Sequence, residues 1–304
     1  MSHRHQRRNI LLLIALTIAM AIMLVTSGTP AYSNPSTLRV SFIDVGYGDS
    51  ILLSASDGTD ILIDGGGPSA GPTVVAYLQA QGVDDIDILV ATHAHSDHIS
   101  GLIDVLESSI PVEAVIEGVP GTTDLYDDFL TATQNKGVTP TQVIAGQSFT
   151  WGALQAAVLN PQSPPRYSPN EDSVVLLITY GNNRFLFAGD SGLPAEGDIL
   201  ASGADIDAGV LKVGHHGSHT STGPLFLDAV TPIYAVISVG VNWSGYPSPE
   251  VLDRLVLAGA EIYRTDIEGT VVITSDGAAL TTNQQVINHA VFLPLVQHEG
   301  DPLD

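Results

Sequence analysis

From Leu38 onward, short apolar segments alternate with turn-forming residues. Runs of this length that are rich in Val, Ile and Leu predict β-strands. The predicted strands cover residues 38–44, 50–55, 60–64, 87–92, 112–117, 174–180, 184–190, 207–214, 234–240, 261–265 and 270–274. Patterns between them predict helices over 73–81, 99–107, 124–134 and 249–257. Strands in both halves with helices between them favour one layered α/β domain over two independent domains.

Two stretches depart from this pattern. Residues 160–170 hold four prolines, so they must form a loop, and this loop is the best candidate for an internal boundary. Residues 286–304 form a C-terminal tail with an apolar part, HAVFLPLV, and an acidic end. A docking strand, a sorting signal and a frayed terminus all fit this tail, and the sequence does not decide between them.

The first 33 residues have the layout of a secretory signal peptide. Three arginines within residues 1–8 precede an apolar run over residues 10–25, and residues 31–33 offer a small-x-small cleavage pattern. The run is shorter than the about 20 residues that a membrane-spanning helix needs. We therefore predict cleavage after Ser33 and an extracytoplasmic, secreted protein. A membrane anchor retained over residues 10–25 is the alternative.

The net charge argues against tight nucleic-acid binding, and the cysteine content limits the possible metal ligands. The 304 residues include 10 Lys and Arg against 33 Asp and Glu, a net charge of −23, which becomes −26 once the three arginines of the signal are removed. Tight non-specific binding to nucleic acid needs many cationic contacts to phosphate, so no stable complex with DNA is expected. The chain has no cysteine. Any metal must therefore be held by histidine and carboxylate.

Six of the ten histidines fall into two clusters, His93/His95/His98 and His215/His216/His219. Each cluster begins where a predicted strand ends, and strand ends form the usual rim of a site in an α/β protein. Such a convergence of imidazoles is typical of metal ligands rather than of solvated surface histidines.

The motif HAHSDH has the spacing of a metal-binding segment. His93 and His95 are two residues apart, so in an extended segment they face the same side and can hold one cation. Asp97 and His98 follow at the turn into a helix and can reach a second cation. Imidazole and carboxylate without thiolate suit zinc, manganese or iron. We predict two divalent ions, with zinc first and manganese or iron as alternatives.

Two metals need a bridging ligand and further ligands from elsewhere in the chain. Asp190 is the candidate bridge, because it ends a predicted strand directly after Gly189. His215, at the end of the strand over 207–214, is the candidate last ligand of the second metal. His216 is a weaker candidate for the same place.

HAHSDH, FAGD and KVGHHGSHTS, in this order and separation, resemble the motifs of the metallo-β-lactamase-fold hydrolases. FIDVGYGDSILL, LIDGG, NEDSVVLLITYGNNRFLFAGD, YAVISVG and PSPEVLDRL are similar to the soluble hydrolase domain of ComEC-type DNA-uptake competence proteins. The resemblance covers about residues 38–275, so we predict a hydrolase domain over 38–280. It implies an αββα sandwich, two mixed sheets between outer helices, with the metals at one edge.

The resemblance also implies a ligand set for each metal. One metal is expected on His93 and His95, and the other on the set Asp97, His98 and His215, with Asp190 as the bridge. Many relatives supply a further histidine just before the hairpin that ends in Gly-Asp. That segment reads SPNEDS here, so Asn170 or water is expected to fill the position.

Several positions depart from the competence pattern. Tyr47 stands where that pattern has Gln, His219 where it has Lys and Tyr246 where it has His. The resemblance implies that His219 and Tyr246 lie on the substrate side. Ser218 and Thr220 offer hydroxyl donors to a phosphate oxygen, or they form an ordinary capped turn.

Three aspartates, Asp44, Asp49 and Asp64, flank glycine turns beside predicted strands. They either form these turns or orient metal-binding histidines through hydrogen bonds.

These features together predict an exported, dinuclear, metal-dependent hydrolase. A hydroxide between the metals would attack phosphorus in a phosphodiester. Asp97, His216 and His219 are the candidate catalytic residues, and His216 or His219 would protonate the leaving oxygen. A phosphodiesterase or nuclease with DNA among its substrates is the first interpretation. A hydrolase of a cell-wall phosphoester or a lactone is the alternative, as is a binding module with an inactive site. A small basic groove made by Arg166, Arg184 and Lys212 would favour the first interpretation.

Overall fold

The computed structural model describes residues 36–284. The predicted signal peptide over 1–33, the alternative anchor over 10–25 and the tail over 286–304 lie outside this range. Within residues 36–284, no helix combines the length and the apolar character that crossing a bilayer requires.

Fifteen strands and seven α-helices make up the described chain. The strands are β1 (Leu38–Phe42), β2 (Ile51–Ala55), β3 (Asp60–Ile63), β4 (Ile86–Ala91), β5 (Val112–Glu117), β6 (Thr141–Gln142), β7 (Ser148–Trp151), β8 (Leu154–Asn160), β9 (Val175–Tyr180), β10 (Asn183–Phe187), β11 (Val210–Lys212), β12 (Tyr234–Ile237), β13 (Glu261–Arg264), β14 (Val271–Ser275) and β15 (Leu280–Thr282). The helices are α1 (Gly71–Gln81), α2 (Ser96–Glu107), α3 (Asp124–Lys136), α4 (Leu193–Ala201), α5 (Pro224–Val230), α6 (Pro249–Leu257) and α7 (Thr265–Glu268).

The strands form two mixed sheets. The first has the order β15-β14-β1-β2-β3-β4-β5-β6, and the second has the order β13-β12-β11-β10-β9-β8-β7. Neighbours from β15 to β3 are antiparallel, whereas β3, β4, β5 and β6 run parallel. In the second sheet β10 to β13 are parallel and β7 to β10 antiparallel. Parallel neighbours carry their carboxyl ends to one edge, and this edge holds the histidine clusters.

Three apolar clusters hold the layers together. The inner faces of the two sheets pack on each other, with the rings of Phe42 and Phe187 6.3 Å apart. Helices α1 to α3 cover the outer face of the first sheet, through residues such as Leu78, Leu102 and Phe129. Helices α4 to α6 cover the second sheet in the same way. The predicted αββα sandwich is therefore confirmed.

One helix boundary matters for the site. Helix α2 begins at Ser96 instead of residue 99, because the His95 carbonyl already accepts hydrogen bonds from the amides of His98 and Ile99. Asp97 and His98 thus lie in the first helical turn. Gly101 lets this helix approach the turn after β3, since a Cβ atom there would lie 1.8 Å from the Gly65 carbonyl oxygen.

The prediction of an internal boundary at residues 160–170 is wrong. This loop joins β8 to β9, which pair antiparallel in the second sheet. The Asn160 side-chain amide donates to the carbonyls of Glu171 and Ser173, both at 2.8 Å, and so ties the two ends of the loop together. The sequence also gave no prediction for β8, α4 or α5. Alanines in β8 and glycine and proline in or beside the two helices weaken their local patterns.

Candidate metal centre

The two histidine clusters meet at one edge of the two sheets. His93 and His95 follow β4 of the first sheet, and Asp190 follows β10 of the second. His215 and His216 lie on a 3-10 turn after β11, the strand beside β10. The structure therefore brings together side chains that are more than 100 residues apart in the sequence.

The two carboxylate oxygens of Asp190 divide these side chains into two groups. We call Asp97, His98 and His216 the inner group. Asp190 Oδ1 lies 3.3 Å from His98 Nε2 and 3.5 Å from His216 Nε2. Asp97 Oδ2 completes this group, 3.3 Å from His216 Nε2 and 3.9 Å from His98 Nε2.

We call His93, His95 and His215 the outer group. Asp190 Oδ2 lies 3.9 Å from His93 Nε2 and 3.8 Å from His215 Nε2. The His95 ring lies with its centroid 4.6 Å from that of His93 and is exposed to solvent. One carboxylate thus faces both groups, one oxygen to each.

The donor atoms suit metal ions. Among the described residues, His93 Nε2, His98 Nε2, His216 Nε2 and Asp190 Oδ1 are buried and have no hydrogen-bond partner. Burying polar atoms without partners is costly, so this convergence calls for a ligand. The inner-group separations of 3.3 to 3.9 Å match donors that all lie about 2.0–2.2 Å from one ion. The inner group therefore fits one divalent ion, and the unpartnered His93 Nε2 leaves a donor in the outer group for a second.

Aspartates contact the Nδ1 atoms of both histidines of the inner group. His98 Nδ1 donates to Asp64 Oδ2 at 2.7 Å, and Asp64 also accepts from the hydroxyl and the amide of Thr92, at 2.6 and 2.8 Å. His216 Nδ1 donates to the Ser238 carbonyl at 2.9 Å and lies 3.4 Å from Asp49 Oδ1. Such contacts fix the ring orientation and leave Nε2 free for a metal.

The three aspartates beside the glycine turns thus divide between the two expected roles. Asp49 and Asp64 contact ring nitrogens of the inner group, as the orienting role predicts. Asp44 accepts a hydrogen bond from the Gly46 amide at 3.1 Å, which is the turn-forming role.

Neutral groups support the outer group. His93 Nδ1 lies 3.2 Å from the hydroxyls of both Ser173 and Thr92. The Asn170 amide nitrogen lies 3.1 Å from His215 Nε2, and the His215 ring meets the ring of Tyr246 edge to face, with centroids 5.6 Å apart.

The pKa values of the histidines also differ between the two groups, raised for both histidines of the inner group and lowered for two of the three in the outer group. Burial alone would lower the pKa of His216, but Asp190, Asp49 and Asp97 raise it to about 9. The pKa of His98 is raised well above its ordinary value, because Asp190 and Asp64 outweigh the effect of burial.

In the outer group, burial lowers the pKa of both His93 and His215, so these rings are neutral at pH 7. Burial alone would raise the pKa of Asp190, but His216 and His98 hold it well below its ordinary value.

The turn that carries His215 and His216 has an uncommon backbone. Both residues are left-handed, with φ of 47° and 53°, and Gly217 follows with φ of 82°. Two consecutive left-handed residues other than glycine cost conformational energy, and such strain is concentrated at functional sites. The Ser221 hydroxyl closes the turn, donating to the Gly214 carbonyl at 2.7 Å.

The placement of His215 and His216 corrects the sequence prediction. We expected His215 beside Asp97 and His98, but His216 occupies that position and His215 faces the other oxygen of Asp190. His216 is also fully buried with Nε2 directed at Asp97 and Asp190, so it is not placed to protonate a leaving group.

The remaining predicted residues lie around this centre. The hydroxyls of Ser218 and Thr220 bond to each other at 2.9 Å, which is the capped-turn alternative. The His219 side chain is exposed, and its carbonyl accepts from Arg254. Tyr246 borders the outer group, and the Tyr47 ring lies 4.6 Å from that of His216.

Arg166, Arg184 and Lys212 do not form the basic groove that would have favoured a nuclease, because each is paired with an aspartate. Lys212 is fully buried and paired with Asp49 at 2.7 Å. Arg166 pairs with Asp198 at 3.0 Å, and Arg184 pairs with Asp205 at 2.8 Å. The other four Lys and Arg side chains also have polar partners, which are Gln81 for Arg39, the Ser108 carbonyl for Lys136, the Ser221 carbonyl for Arg254 and Asp266 for Arg264.

Sequence reasoning missed three residues that support the centre: Thr92, Ser173 and Lys212. Thr92 directly precedes HAHSDH, but hydroxyls beside histidines are common and carry little signal. Lys212 had a usable signal, because a lysine that ends an apolar strand such as Val210–Lys212 is expensive to bury without a paired acid. The sequence alone did not identify Asp49 as that acid.

Comparisons with known proteins agree with this architecture. The family model described as the metallo-beta-lactamase superfamily matches residues 43–241. The chain is 32% identical over 252 residues to ComE operon protein 3 of Bacillus subtilis. This alignment covers 77% of this chain and 32% of that protein. The chain is 31% identical over 233 residues to competence protein ComA of Neisseria gonorrhoeae, which covers 76% and 31%. The predicted resemblance to ComEC-type proteins is confirmed, and the chain spans about a third of the length of these relatives.

Two solved structures share the fold. The metallo-beta-lactamase fold protein YhfI from Bacillus subtilis aligns with a TM-score of 0.52 at 12% identity, over 79% of this chain and 100% of that chain. CmlA, a diiron beta-hydroxylase from Streptomyces venezuelae, aligns with a TM-score of 0.51 at 15% identity, over 78% and 54%. At such identities the likeness shows the fold alone.

Proposed function

This chain belongs to the metallo-β-lactamase superfamily, and on that premise we propose that it is a dinuclear metal-dependent hydrolase of phosphodiesters. Members of the superfamily are mostly metal-dependent hydrolases, and the superfamily binds two metals. The competence relatives are about three times as long as the matched region, so their roles as whole proteins do not transfer directly.

The observation that carries the proposal is the position of Asp190 between the two groups. Its Oδ1 faces His98 and His216, and its Oδ2 faces His93 and His215. A carboxylate that presents one oxygen to each of two histidine sets is suited to bridge two ions. Two divalent ions, zinc first and manganese or iron as alternatives, would supply a hydroxide nucleophile at neutral pH and stabilise charge on the phosphate oxygens.

The chain's own residues then have separate tasks. Asp97, His98 and His216 hold the inner ion in a closed environment, and Asp64 and Asp49 keep the two imidazoles oriented. The outer group has the exposed His95 and faces solvent, so substrate approaches from this side. His219 is exposed and is the remaining candidate to donate a proton to the leaving oxygen.

Two features favour a short phosphodiester over polymeric DNA. Two divalent ions held by these residues would stabilise charge on both the entering and the leaving oxygen of a phosphodiester. Each Lys and Arg between residues 36 and 284 is already engaged with a protein partner, so few cations are available for a long polyanion. We therefore propose weak DNA binding with a shallow dependence on salt concentration, because the slope grows with the number of phosphate contacts.

The same charge distribution supports a second candidate function. A lactone or a cell-wall phosphoester needs no extended cationic surface, and the net charge of −26 beyond the signal suits such substrates. This alternative uses the same metal centre and differs only in the substrate.

We also propose an extracytoplasmic location, based on the arginines, the apolar run and the cleavage pattern within residues 1–33. Terminal sequencing of the mature protein should begin near Asn34. A protein that keeps residues 10–25 and sediments with membranes would instead support the anchor.

A substrate panel tests the proposed function. The mature chain, loaded in turn with zinc, manganese or iron, would be assayed on bis-p-nitrophenyl phosphate, p-nitrophenyl phosphate, single-stranded DNA, a lactone and a β-lactam. We expect metal-dependent cleavage of the bis-aryl diester, loss of this cleavage in His95→Ala, and little β-lactam hydrolysis. His289→Ala, in the C-terminal tail, is the matched control at a histidine outside the two clusters.

The outcomes separate the candidates. Hydrolysis of the lactone without that of any phosphodiester would replace the first candidate by the second. Full occupancy by two ions with no activity on any substrate of the panel would favour a binding module.

A further inference from the structure

We propose that His215 is the third histidine ligand of the outer ion, so that the adjacent residues His215 and His216 serve two different ions. The proposal rests on the dinuclear centre proposed above. It differs from the ligand set that the sequence motifs imply, in which His215 joins Asp97 and His98.

His215 and His93 lie at similar distances from the same oxygen of Asp190. His215 Nε2 lies 3.8 Å from Asp190 Oδ2, close to the 3.9 Å of His93 Nε2 from the same oxygen. His216 Nε2 lies 3.5 Å from Asp190 Oδ1 and 3.3 Å from Asp97 Oδ2. The inner position next to Asp97 is therefore already occupied by a histidine.

The backbone of His215 and His216 directs the two rings to different places. Because both residues are left-handed, their side chains diverge, and the ring centroids lie 6.2 Å apart with the planes at 69°. Such divergence allows neighbouring residues to reach opposite oxygens of one carboxylate. A purely structural turn could use glycine or asparagine here without the cost of two left-handed histidines.

An outer ion would need more ligands than the HAHSDH segment supplies. HAHSDH supplies only His93 and His95 to the outer group, Asp190 adds one oxygen, and protein-bound zinc takes four ligands. The segment before β9, where many relatives supply a further histidine, carries Asn170 instead. His215 fills this gap from the other side of Asp190, and it gives the outer ion three imidazoles.

Asn170 then acts as a positioning residue instead of a ligand. Its side-chain amide donates to His215 Nε2 at 3.1 Å, so this nitrogen carries a lone pair and no proton. That is the form of imidazole that binds metals. The hydrogen bond holds the ring in place, and a bound ion would replace the amide as the partner of Nε2.

Paired variants in two backgrounds test the assignment. His215→Asn and His216→Asn are matched, because asparagine tolerates the left-handed backbone of both positions. Each is combined with His95→Ala, which removes an outer ligand, and with Asp97→Ala, which removes an inner one. Mn²⁺ binding to the full mature chain is measured by titration calorimetry, and electron paramagnetic resonance distinguishes a coupled pair of ions from an isolated ion.

We expect the wild type to bind two coupled Mn²⁺ ions and His95→Ala to keep one tightly bound ion. Adding His215→Asn to His95→Ala should change the affinity for this remaining ion less than twofold, whereas adding His216→Asn should weaken it at least tenfold. In the Asp97→Ala background the effects should be reversed. There His215→Asn should weaken the remaining ion at least tenfold, and His216→Asn should change its affinity less than twofold. Circular dichroism checks that each variant is folded, and His215→Gly and His216→Gly replace any that is not.

The two possible failures are distinguishable. If His215→Asn weakens the ion left in His95→Ala as strongly as His216→Asn does, His215 belongs to the inner ion and the assignment is wrong, although the dinuclear centre stands. If the wild type binds fewer than two Mn²⁺ ions, the dinuclear proposal itself fails and the assignment fails with it.

Discussion

The inner and outer groups share one carboxylate but are built differently. His98 and His216 are completely buried, and each has its Nδ1 bonded to an aspartate or a backbone carbonyl. In the outer group His95 is exposed, and the side chain of His215 retains 21% of its accessible surface. The supporting contacts of the outer group come from hydroxyls, an amide and an aromatic ring.

This difference would give two bound ions different roles. A fixed set of ligands with charged support holds an ion tightly and keeps its geometry constant. A partly exposed set with neutral support allows ligands to exchange, which a substrate requires when it enters the coordination sphere. We therefore expect the inner ion to bind more tightly and the outer ion to be the one that meets substrate.

The largest expected effect comes from Asp190, because this residue belongs to both groups. Asp190→Ala should remove both ions, with a loss of affinity of more than about 100-fold at each position. Asp205→Ala, at an exposed aspartate, is the matched control and should leave both ions bound. Elemental analysis after gel filtration measures the content, and an Asp190→Ala protein that retains two ions would show that this carboxylate is not a bridge.

Next in size is the effect of removing charged support from the inner group alone. Asp64→Asn keeps an oxygen that can accept from His98 but loses the charge, so affinity for the inner ion should fall by about 10- to 100-fold. Ser173→Ala, which removes a hydroxyl beside His93, should weaken the outer ion by less than about 10-fold. Mn²⁺ titrations of both variants measure the contrast, and equal losses would contradict the difference between the groups.

The segment that follows the turn with His215 and His216 is hydrogen-bonded to a carboxylate that titrates near neutrality. Glu196 accepts from the amides of Thr222 and Gly223, just after Ser221, and burial raises its pKa to about 7. Since this folded-state pKa lies above the ordinary value of 4.5, the folded protein holds a proton that the unfolded chain releases between these values. The contribution of this proton to the free energy of unfolding is complete below pH 4.5 and is lost as the pH rises through 7.

Glu196→Gln should remove this dependence. Between pH 5 and 8 the free energy of unfolding of the wild type should fall on the order of 2 kcal/mol further than that of the variant, in the presence of a chelator. Urea denaturation at several pH values gives the comparison. Parallel curves for the two proteins would mean that Glu196 is ionised throughout this range.

The smallest expected effect concerns the rim of the outer group. Tyr246→Phe keeps the ring that packs on His215, so metal content and stability should remain unchanged. If the hydroxyl contacts substrate, as its position beside the outer group favours, KM for a small phosphodiester should rise about 2- to 10-fold with kcat preserved. An unchanged KM would remove Tyr246 from the substrate-binding residues.

Much of the fold and part of the centre could be predicted from the sequence. The apolar runs located most strands of both sheets, and the family motifs gave the sandwich and the edge at which the histidines meet. Alternation in an extended segment correctly placed His93 and His95 on one side. These predictions succeeded because they depend on local periodicity and on motifs with fixed spacing.

The division between His215 and His216 could not be predicted in this way. Which of two adjacent rings reaches Asp97 depends on the backbone dihedral angles between them, and here both residues adopt a left-handed conformation that histidine seldom takes. The role of Asp49 could not be predicted either, since its partners Lys212 and His216 lie more than 160 residues away in the sequence. Such contacts are set by packing between sheets and leave no local pattern.

The position of Asp190 between histidines of the two sheets has a consequence for the durability of the protein. Each ion would tie the HAHSDH segment, which follows β4, to the second sheet, in a chain with no cysteine to form a covalent cross-link. By mass action, an ion present at 100 times its dissociation constant adds about 2.7 kcal/mol to the free energy of unfolding if it binds only the native state. The metal supply of the surroundings would then set how long the folded chain resists proteases, as an oxidising environment does for a disulfide-bonded protein.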